Sequence, residues 1–287
     1  MPENYPLVSN SVSYNLKVSF IRQHPEKLRD ADIVVIGSSM SMNNVDAVML
    51  QDSLRRPVVN LSSWQLDMPN FKGSPLWDEP KVFLTNLGVS DFGDIHTQVK
   101  DNFSFKRSRL AEFYNFETDF RTFVEMLPLA KSIMNTRDNQ DFLSCNFDKC
   151  GSVLLNDSPF VKSARRWDLD AYAVFKMDSA AVVKYIRQLK ELTRSHHGNI
   201  RLFITFSPGR RKFYNKPRSE TVAYLGELIH ANCPEVLFFN LYDRNYPDSV
   251  YAEGCHFNIR GARRFTREVI DSIRLRSPGG IPSGQRR

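Results

Sequence analysis

Residues 33–41 read Ile-Val-Val-Ile-Gly-Ser-Ser-Met-Ser, and this stretch favours one fold class for the whole chain. Four consecutive β-branched residues are typical of a strand buried on both faces, as in a parallel sheet. Gly37 permits a sharp turn, and Ser39 then falls at or near a helix N-terminus with its hydroxyl exposed. A strand, a tight turn and a helix in this order predict the first βα unit of an α/β domain.

The same composition recurs along the chain. Five short apolar runs read as buried parallel strands, and they are 33–36, 58–61, 81–87, 201–206 and 236–240. Helical patterns lie at 44–53, 179–196, 219–231 and 260–275, the last with Asn258 as its N-cap. Strands that alternate with helices predict right-handed crossovers and a three-layer α/β/α sandwich with a five-stranded parallel, flavodoxin-like sheet.

The domain organisation follows from length and composition. A chain of 287 residues, 41% of them hydrophobic, can close a substantial core. We predict a lead-in at 1–30, one domain at 31–275 and a flexible basic tail at 276–287. Residues 92–177 break the strand and helix alternation and are rich in aromatics. They predict a partly helical cap over the active-site edge, the alternative being that they pack elsewhere on the surface.

The net charge of +7 and the isoelectric point near 9.2 suggest an anionic neighbour, such as nucleic acid, a membrane surface or an acidic glycan. Much of the excess lies in the last thirty residues, and no nucleic-acid-binding motif accompanies it, so we predict no nucleic-acid partner. Arg210 and Arg211, just after the fourth strand, could bind an anionic glycan or form a solvated basic loop.

Cysteine usage and motif content argue against a metal or cofactor. Cys145 and Cys150 could close a small loop or remain two thiols, and no second Cys/His pair has zinc-site spacing. The turn after the first strand has neither a dinucleotide fingerprint nor a phosphate-loop lysine, which disfavours nucleotide binding by a flavodoxin-like sheet. We therefore predict that the protein uses no cofactor.

The location of the protein has two interpretations. No run of about 18 apolar residues occurs, and the first residues lack the basic start and apolar stretch of a signal peptide. Taken as it stands, the sequence predicts a soluble cytoplasmic protein. The alternative is that an anchor or signal has been removed.

A second motif stands near the C-terminus, where residues 251–262 read Tyr-Ala-Glu-Gly-Cys-His-Phe-Asn-Ile-Arg-Gly-Ala. Ligands of an open parallel sheet bind beyond the carboxyl ends of its strands, which is where this loop and the Ser39 turn both fall. Glu253, three residues before His256, can hold one imidazole nitrogen while the other nitrogen faces Ser39. The two segments together predict Ser39 as nucleophile, His256 as base and Glu253 as the group that orients the base.

These two segments resemble the first and last motif blocks of the SGNH/GDSL hydrolase superfamily. The likeness is closer to the Gly-Ser-Ser branch, which includes bacterial proteins of cell-surface polysaccharide O-acetylation and D-alanyl-lipoteichoic-acid transfer, and it runs from about residue 10 to 275. The resemblance implies the fold predicted above and serine-dependent acyl transfer or ester hydrolysis. It also implies a polysaccharide or acylated small-molecule substrate and a possible membrane-bound acyl-donor partner. If an anchor or signal has been removed, it implies a location at the bacterial cell envelope.

The resemblance carries over unevenly to individual residues. Glu253 occupies the place of the usual aspartate, so Asp248 and Asp243 remain rival orienting groups. The second block usually supplies an oxyanion-hole glycine, which is absent here, so Ser62 is expected to donate its backbone N–H instead. Asn86 is expected to be the oxyanion-hole asparagine of the third block, the alternative being a turn residue. Because these are departures from the pattern, a catalytically degenerate glycan-binding module on the same fold is the rival function.

Overall fold

The computed structural model describes residues 17, 20–21, 23–62, 81–92, 145–155, 179–195, 200–211, 216–252 and 255–276. Its strands, in chain order, are β1 (Ile33–Val35), β2 (Val58–Asn60), β3 (Lys81–Leu87), β4 (Cys145–Phe147), β5 (Val153–Leu155), β6 (Ile200–Phe206) and β7 (Leu237–Asn240). Its α-helices are α1 (Pro25–Asp30), α2 (Ser39–Asn44), α3 (Ala47–Leu54), α4 (Ser179–Ser195), α5 (Lys216–Asn232) and α6 (Ile259–Arg276). None of these helices is long and apolar enough to cross a membrane.

Five strands form one sheet in the order β2-β1-β3-β6-β7, and every neighbouring pair is parallel. This order is the doubly wound, flavodoxin-like arrangement: β1 lies inside the sheet, β2 is added on one side of it, and β3, β6 and β7 are added in turn on the other side. All five predicted strands are present, with ends that differ by a residue at most. The predicted five-stranded parallel α/β fold is therefore confirmed.

Alternate residues of β1 face two separate cores, because side chains along a strand point to opposite faces. Val34 packs in a cluster with residues of α1, α4 and α5, whereas Ile33 and Val35 pack in a second cluster with α3 and α6. All three side chains are buried. Helices thus cover both faces of the sheet, which gives the three layers and explains why the strand sequence is continuously apolar.

The predicted helix at 44–53 is wrong at its start, since the structure has two helices, α2 and α3, separated by Val45 and Asp46. The Ser38 side chain accepts from the N–H of Met40 and caps α2. The Asp46 side chain accepts from the N–H of Met49 and caps α3. Two caps eight residues apart favour two short helices, because each satisfies amides that a helix start leaves without partners.

The last helix begins where the sequence predicted. The Asn258 side-chain oxygen accepts from the N–H groups of Arg260 and Gly261, both at 3.1 Å, and so caps α6. A side chain on Gly261 would have no room, because its Cβ would lie 2.2 Å from the Val250 carbonyl oxygen and 2.8 Å from the Phe257 Cβ. The glycine therefore lets the helix start pack directly against the chain on either side of His256.

We expect Gly261→Ala to lower the free energy of unfolding by about 1–3 kcal/mol or more, since overpacking against backbone atoms forces the backbone to shift. Urea titration followed by circular dichroism measures the loss. The matched control is Gly226→Ala within α5, where the added methyl group would meet only the half-buried side chain of Phe238. A loss at Gly261 no greater than that at Gly226 would contradict the expectation.

The described part of the predicted insertion is an antiparallel hairpin, β4 and β5, rather than a helix. Its second strand packs into the core beside α2 and α6, and Leu155 forms a parallel bridge with Asn258, two residues after His256. The hairpin thus lies beside the histidine loop. The helical cap predicted for the rest of the insertion, and the predicted tail, lie outside the described residues.

The lead-in contributes a buried lysine to the sheet edge. Lys17 donates from Nζ to the carbonyl oxygens of Asn60, at the end of β2, and of Gly151, in the turn of the β4–β5 hairpin. Burial lowers the pKa of Lys17 to about 7, against the opposing effect of the nearby Asp148 carboxylate. The contact ties the hairpin to the sheet and places the Lys17 side chain in the packed fold.

Candidate active site

Ser39 and His256 meet at the carboxyl edge of the sheet although they are 217 positions apart in sequence. The Ser39 Oγ lies 2.9 Å from the His256 Nε2, which is hydrogen-bonding distance. Both residues are half-buried, so the pair is accessible from solvent while its geometry is held by the protein. A hydroxyl and an imidazole in this contact can exchange a proton, which is the first requirement for an activated serine nucleophile.

The turn before Ser39 is strained and tightly packed. Gly37 has φ of +143°, and a Cβ at that position would lie 2.6 Å from the Ser41 Oγ and 2.7 Å from the Thr85 Oγ1. Only glycine accommodates both the conformation and the space. The chain then enters α2, where the Met40 N–H donates to the Ser38 Oγ at 3.2 Å. Among the described residues no hydrogen bond from the Ser39 N–H is found, so this amide can donate to an oxyanion formed at Ser39.

The loop that carries His256 is closed at its base by backbone pairing. Tyr251 and Phe257 form an antiparallel bridge, and the Ala252 N–H donates to the His256 carbonyl oxygen at 2.9 Å. Phe257 is fully buried, with its ring centroid 5.0 Å from that of Tyr251 and 5.6 Å from that of Phe265. The residue next to the histidine is therefore anchored in the core, which limits the freedom of the imidazole.

The other imidazole nitrogen, Nδ1, lies 3.8 Å from the Cys255 Sγ. Glu253, the predicted orienting group, lies outside the described residues, so its role stays a prediction. The two rival orienting groups, Asp248 and Asp243, have other hydrogen-bond partners. Asp248 accepts from Nε and Nη2 of Arg210, both at 2.9 Å, and Asp243 accepts from the Ser219 hydroxyl at 2.7 Å. Each aspartate thus has another partner, and the choice of orienting group among Glu253, Asp248 and Asp243 stays a prediction.

Asn86 does not offer the free amide expected of an oxyanion donor. It lies in β3 rather than in a turn, is fully buried, and its Nδ2 donates to the Met40 carbonyl oxygen and the Ser207 Oγ, both at 2.8 Å. Its Oδ1 accepts from the Thr205 hydroxyl at 3.1 Å. Both Nδ2 protons of Asn86 therefore have protein partners, which contradicts the expectation that this amide donates to an oxyanion. Instead, the side chain supplies a donor to a carbonyl near the start of α2.

Ser62 departs from expectation in a similar way. Its backbone N–H donates to the Asn60 Oδ1 at 2.9 Å, which contradicts the expectation of a free amide after β2. Asn60 in turn donates from Nδ2 to the Ser41 carbonyl oxygen at 3.1 Å. The last four carbonyls of a helix have no partner inside it, and that of Ser41 is one of them in α2. Asn60 satisfies the Ser41 carbonyl and Asn86 donates in addition to the Met40 carbonyl, so both side chains hold the helix that begins with Ser39.

The two arginines after β6 have different environments. Arg210 is 7% exposed and forms the bidentate pair with Asp248, so it is neither a solvated residue nor a free anion ligand, which corrects both interpretations of its role. Arg211 is exposed and lines a cleft of about 490 Å³ together with Asn245, Tyr246, Pro247 and Asp248. Of the two predicted substrate-binding arginines, Arg211 is the exposed one, and its role in binding a substrate stays a prediction.

The described cysteines behave as thiols. Cys150, Cys233 and Cys255 are free, and burial raises the pKa of the Cys150 thiol to about 11. The thiol interpretation of Cys150 is thus the one that the structure supports. Within the described ranges, no group of three or more His, Cys, Asp or Glu side chains is placed to hold a metal ion.

Two residues at this edge were missed by the sequence analysis. Asn44, at the end of α2, and Ser207, directly after β6, both lie in the buried hydrogen-bond network around Asn86. Polar residues at the carboxyl ends of parallel strands are a signal for a site, and this signal would have singled out Ser207. Asn44 carried no comparable signal, because it was expected to begin a helix rather than to end one.

Comparison with known proteins gives only distant similarity. No protein-family profile matches the chain, and no curated protein matches it in sequence. Two similar solved structures are of a family two carbohydrate esterase from Clostridium thermocellum, one an active-site mutant and the other a complex with cellohexaose. Each is 11% identical, has a TM-score of 0.43 and covers 87% of this chain. The chain spans 64% and 65% of those structures, just under two thirds of their length.

Proposed function

We propose that this protein transfers or hydrolyses acyl groups through an acyl-Ser39 intermediate. The observation that carries the proposal is the 2.9 Å contact between the Ser39 Oγ and the His256 Nε2 at the carboxyl edge of the sheet. The substrate we propose is an O-acetylated or acetyl-accepting polysaccharide of the bacterial surface. A location at the cell envelope and a membrane-bound acyl donor belong to the same proposal.

The mechanism has two half-reactions. His256 Nε2 takes the proton of the Ser39 hydroxyl as its oxygen attacks the ester or thioester carbonyl, and the Ser39 N–H donates to the oxyanion. The intermediate collapses to acyl-Ser39, and the leaving group receives the proton from His256. In the second half, His256 deprotonates a water molecule or a sugar hydroxyl, which attacks the acyl-serine; as the acyl bond to the Ser39 Oγ breaks and the product leaves, His256 returns the proton to the Ser39 Oγ. Glu253 is proposed to hold Nδ1–H during both halves.

Reactivity of Ser39 tests this proposal. Incubation with a fluorophosphonate probe, followed by peptide mass spectrometry, is expected to place the label on Ser39, because only a serine with an adjacent base reacts readily. Ser195, exposed at the end of α4, serves as the internal comparison, since its hydroxyl donates to the Glu191 carbonyl oxygen rather than to a base. A label spread over exposed serines, or no label, would contradict the proposal.

The choice between transfer and hydrolysis needs a second assay. The protein is incubated with acetylated and with bare bacterial polysaccharide, the latter with an activated acetyl donor. Release of acetate from the acetylated polymer identifies an esterase, and a gain of polymer mass identifies a transferase. The outcome depends on whether the site excludes water and positions the sugar hydroxyl.

The alternative function is a catalytically degenerate glycan-binding module. The observation that favours it is that the Asn86 amide and the Ser62 N–H donate to other protein groups. Loss of one oxyanion donor lowers the rate roughly 10²–10³-fold. Glycan binding that persists in Ser39→Ala and His256→Ala, together with no turnover by the parent protein, would identify this function.

A further inference from the structure

The side chain of Asn44 contacts the peptide groups on both sides of His256. Its Oδ1 accepts from the Phe257 N–H at 2.8 Å, and its Nδ2 lies 3.4 Å from the Cys255 carbonyl oxygen. The same Nδ2 lies 3.3 Å from the Ser207 Oγ. Asn44 is fully buried, so water does not compete for these contacts. One amide thus bridges the residue before the histidine and the residue after it.

Asn44 and Ser39 belong to the same short helix, α2, with Ser39 at its first position and Asn44 at its last. Five residues of α-helix rise by about 7.5 Å, and a helix is rigid over that length. The helix is held in turn by the Asn60 and Asn86 side chains, which donate to its Ser41 and Met40 carbonyl oxygens. The nucleophile and the anchor of the histidine loop are therefore carried by one rigid element.

We propose that Asn44 is a positioning residue that sets the distance between His256 Nε2 and Ser39 Oγ. The inference rests on the proposed function, since the distance matters only where His256 serves Ser39 as a base. Without the Asn44 amide, the Phe257 N–H and the Cys255 carbonyl lose the contacts that tie them to α2, so the loop that carries the imidazole can shift relative to Ser39. A misplacement of about 1 Å can cost about 10² in rate.

The kinetic test compares two adjacent asparagines of α2. Asn44→Leu is expected to lower kcat for p-nitrophenyl acetate by about 10²-fold with little change in KM, because the loop is displaced and not the substrate site. Asn43→Leu is the matched control: Asn43 is also buried, but its Oδ1 has no hydrogen-bond partner in the described part of the chain. Asn44→Asp keeps the acceptor for the Phe257 N–H and is expected to lose less activity than the leucine variant.

The spectroscopic test measures the ¹⁵N resonances of the His256 imidazole by NMR. The ¹⁵N resonances of His256 are identified by their loss in His256→Gln and compared among the parent protein, Asn44→Leu, Asn44→Asp and Asn43→Leu. Both Asn44 variants are expected to shift the Nε2 resonance, and Asn43→Leu is not. The aspartate variant, which retains one of the two contacts, keeps the comparison possible where the leucine variant does not fold.

The outcomes separate this inference from the proposed function. An active parent protein with unchanged kcat and unchanged His256 resonances in the Asn44 variants overturns the positioning role and leaves the proposed function intact. A parent protein with neither turnover nor labelling overturns the proposed function, and the ¹⁵N comparison alone then decides whether Asn44 positions the imidazole.

Discussion

Replacing Ser39 by alanine is expected to lower kcat/KM for p-nitrophenyl acetate by about 10³-fold or more, because the hydroxyl that forms the acyl intermediate is lost. The fold is expected to be unchanged, since Ser39 is half-buried and its hydroxyl contacts His256 rather than the core. Stopped-flow or steady-state release of p-nitrophenol measures the rate, and circular dichroism checks the fold. The control, Ser195→Ala, removes an exposed hydroxyl at the end of α4.

The same p-nitrophenyl acetate assay tests His256, the proposed base. His256→Ala is expected to cost a comparable factor, and the double variant with Ser39→Ala is expected to be no slower than the single serine variant. Residues that act as a unit are strongly non-additive, since removal of one leaves the other without a function. Turnover that survives in Ser39→Ala, or losses that multiply in the double variant, would show that the two side chains do not form a nucleophile and base pair.

Asn86→Ala is expected to lower the free energy of unfolding by about 3 kcal/mol, because it removes several buried hydrogen bonds at about 1 kcal/mol each. The partners of the Asn86 amide in these bonds are the Met40 carbonyl and the hydroxyls of Thr205 and Ser207. The matched control is Thr85→Val on the same strand. The Thr85 hydroxyl is buried and has no partner among the described residues, so its removal is expected to be neutral or stabilising.

The comparison also decides between two roles for Asn86. Urea titration gives the stability of each variant, and p-nitrophenyl acetate turnover gives its activity. If Asn86 is a structural donor to the Met40 carbonyl of α2, Asn86→Ala is expected to show the full loss in the free energy of unfolding. A variant with parental stability and a kcat lowered by about 10²–10³-fold would instead restore Asn86 as an oxyanion donor.

Some features of the site were accessible from sequence because they are local. The β-branched run at 33–36, the turn at Gly37 and the cap at Asn258 are each fixed by neighbouring residues in the chain. Ser39 was correctly expected at or near a helix N-terminus, but the helical pattern was placed only from residue 44, because residues 40–44, Met-Ser-Met-Asn-Asn, have no helical apolar period. A short helix of this kind is held by its surroundings more than by its own propensity.

The sequence by itself determined the parallel sheet, its two apolar faces and the two segments that carry Ser39 and His256, because apolar periodicity and capping are encoded within a few residues. Only the tertiary structure decided the hydrogen-bond partners. Asn86 was expected to face an oxyanion and instead donates to α2, and Arg210 was expected to face a ligand or solvent and instead pairs with Asp248. A buried polar group bonds to whatever the fold brings within about 3 Å, and that neighbour lies far away in the chain.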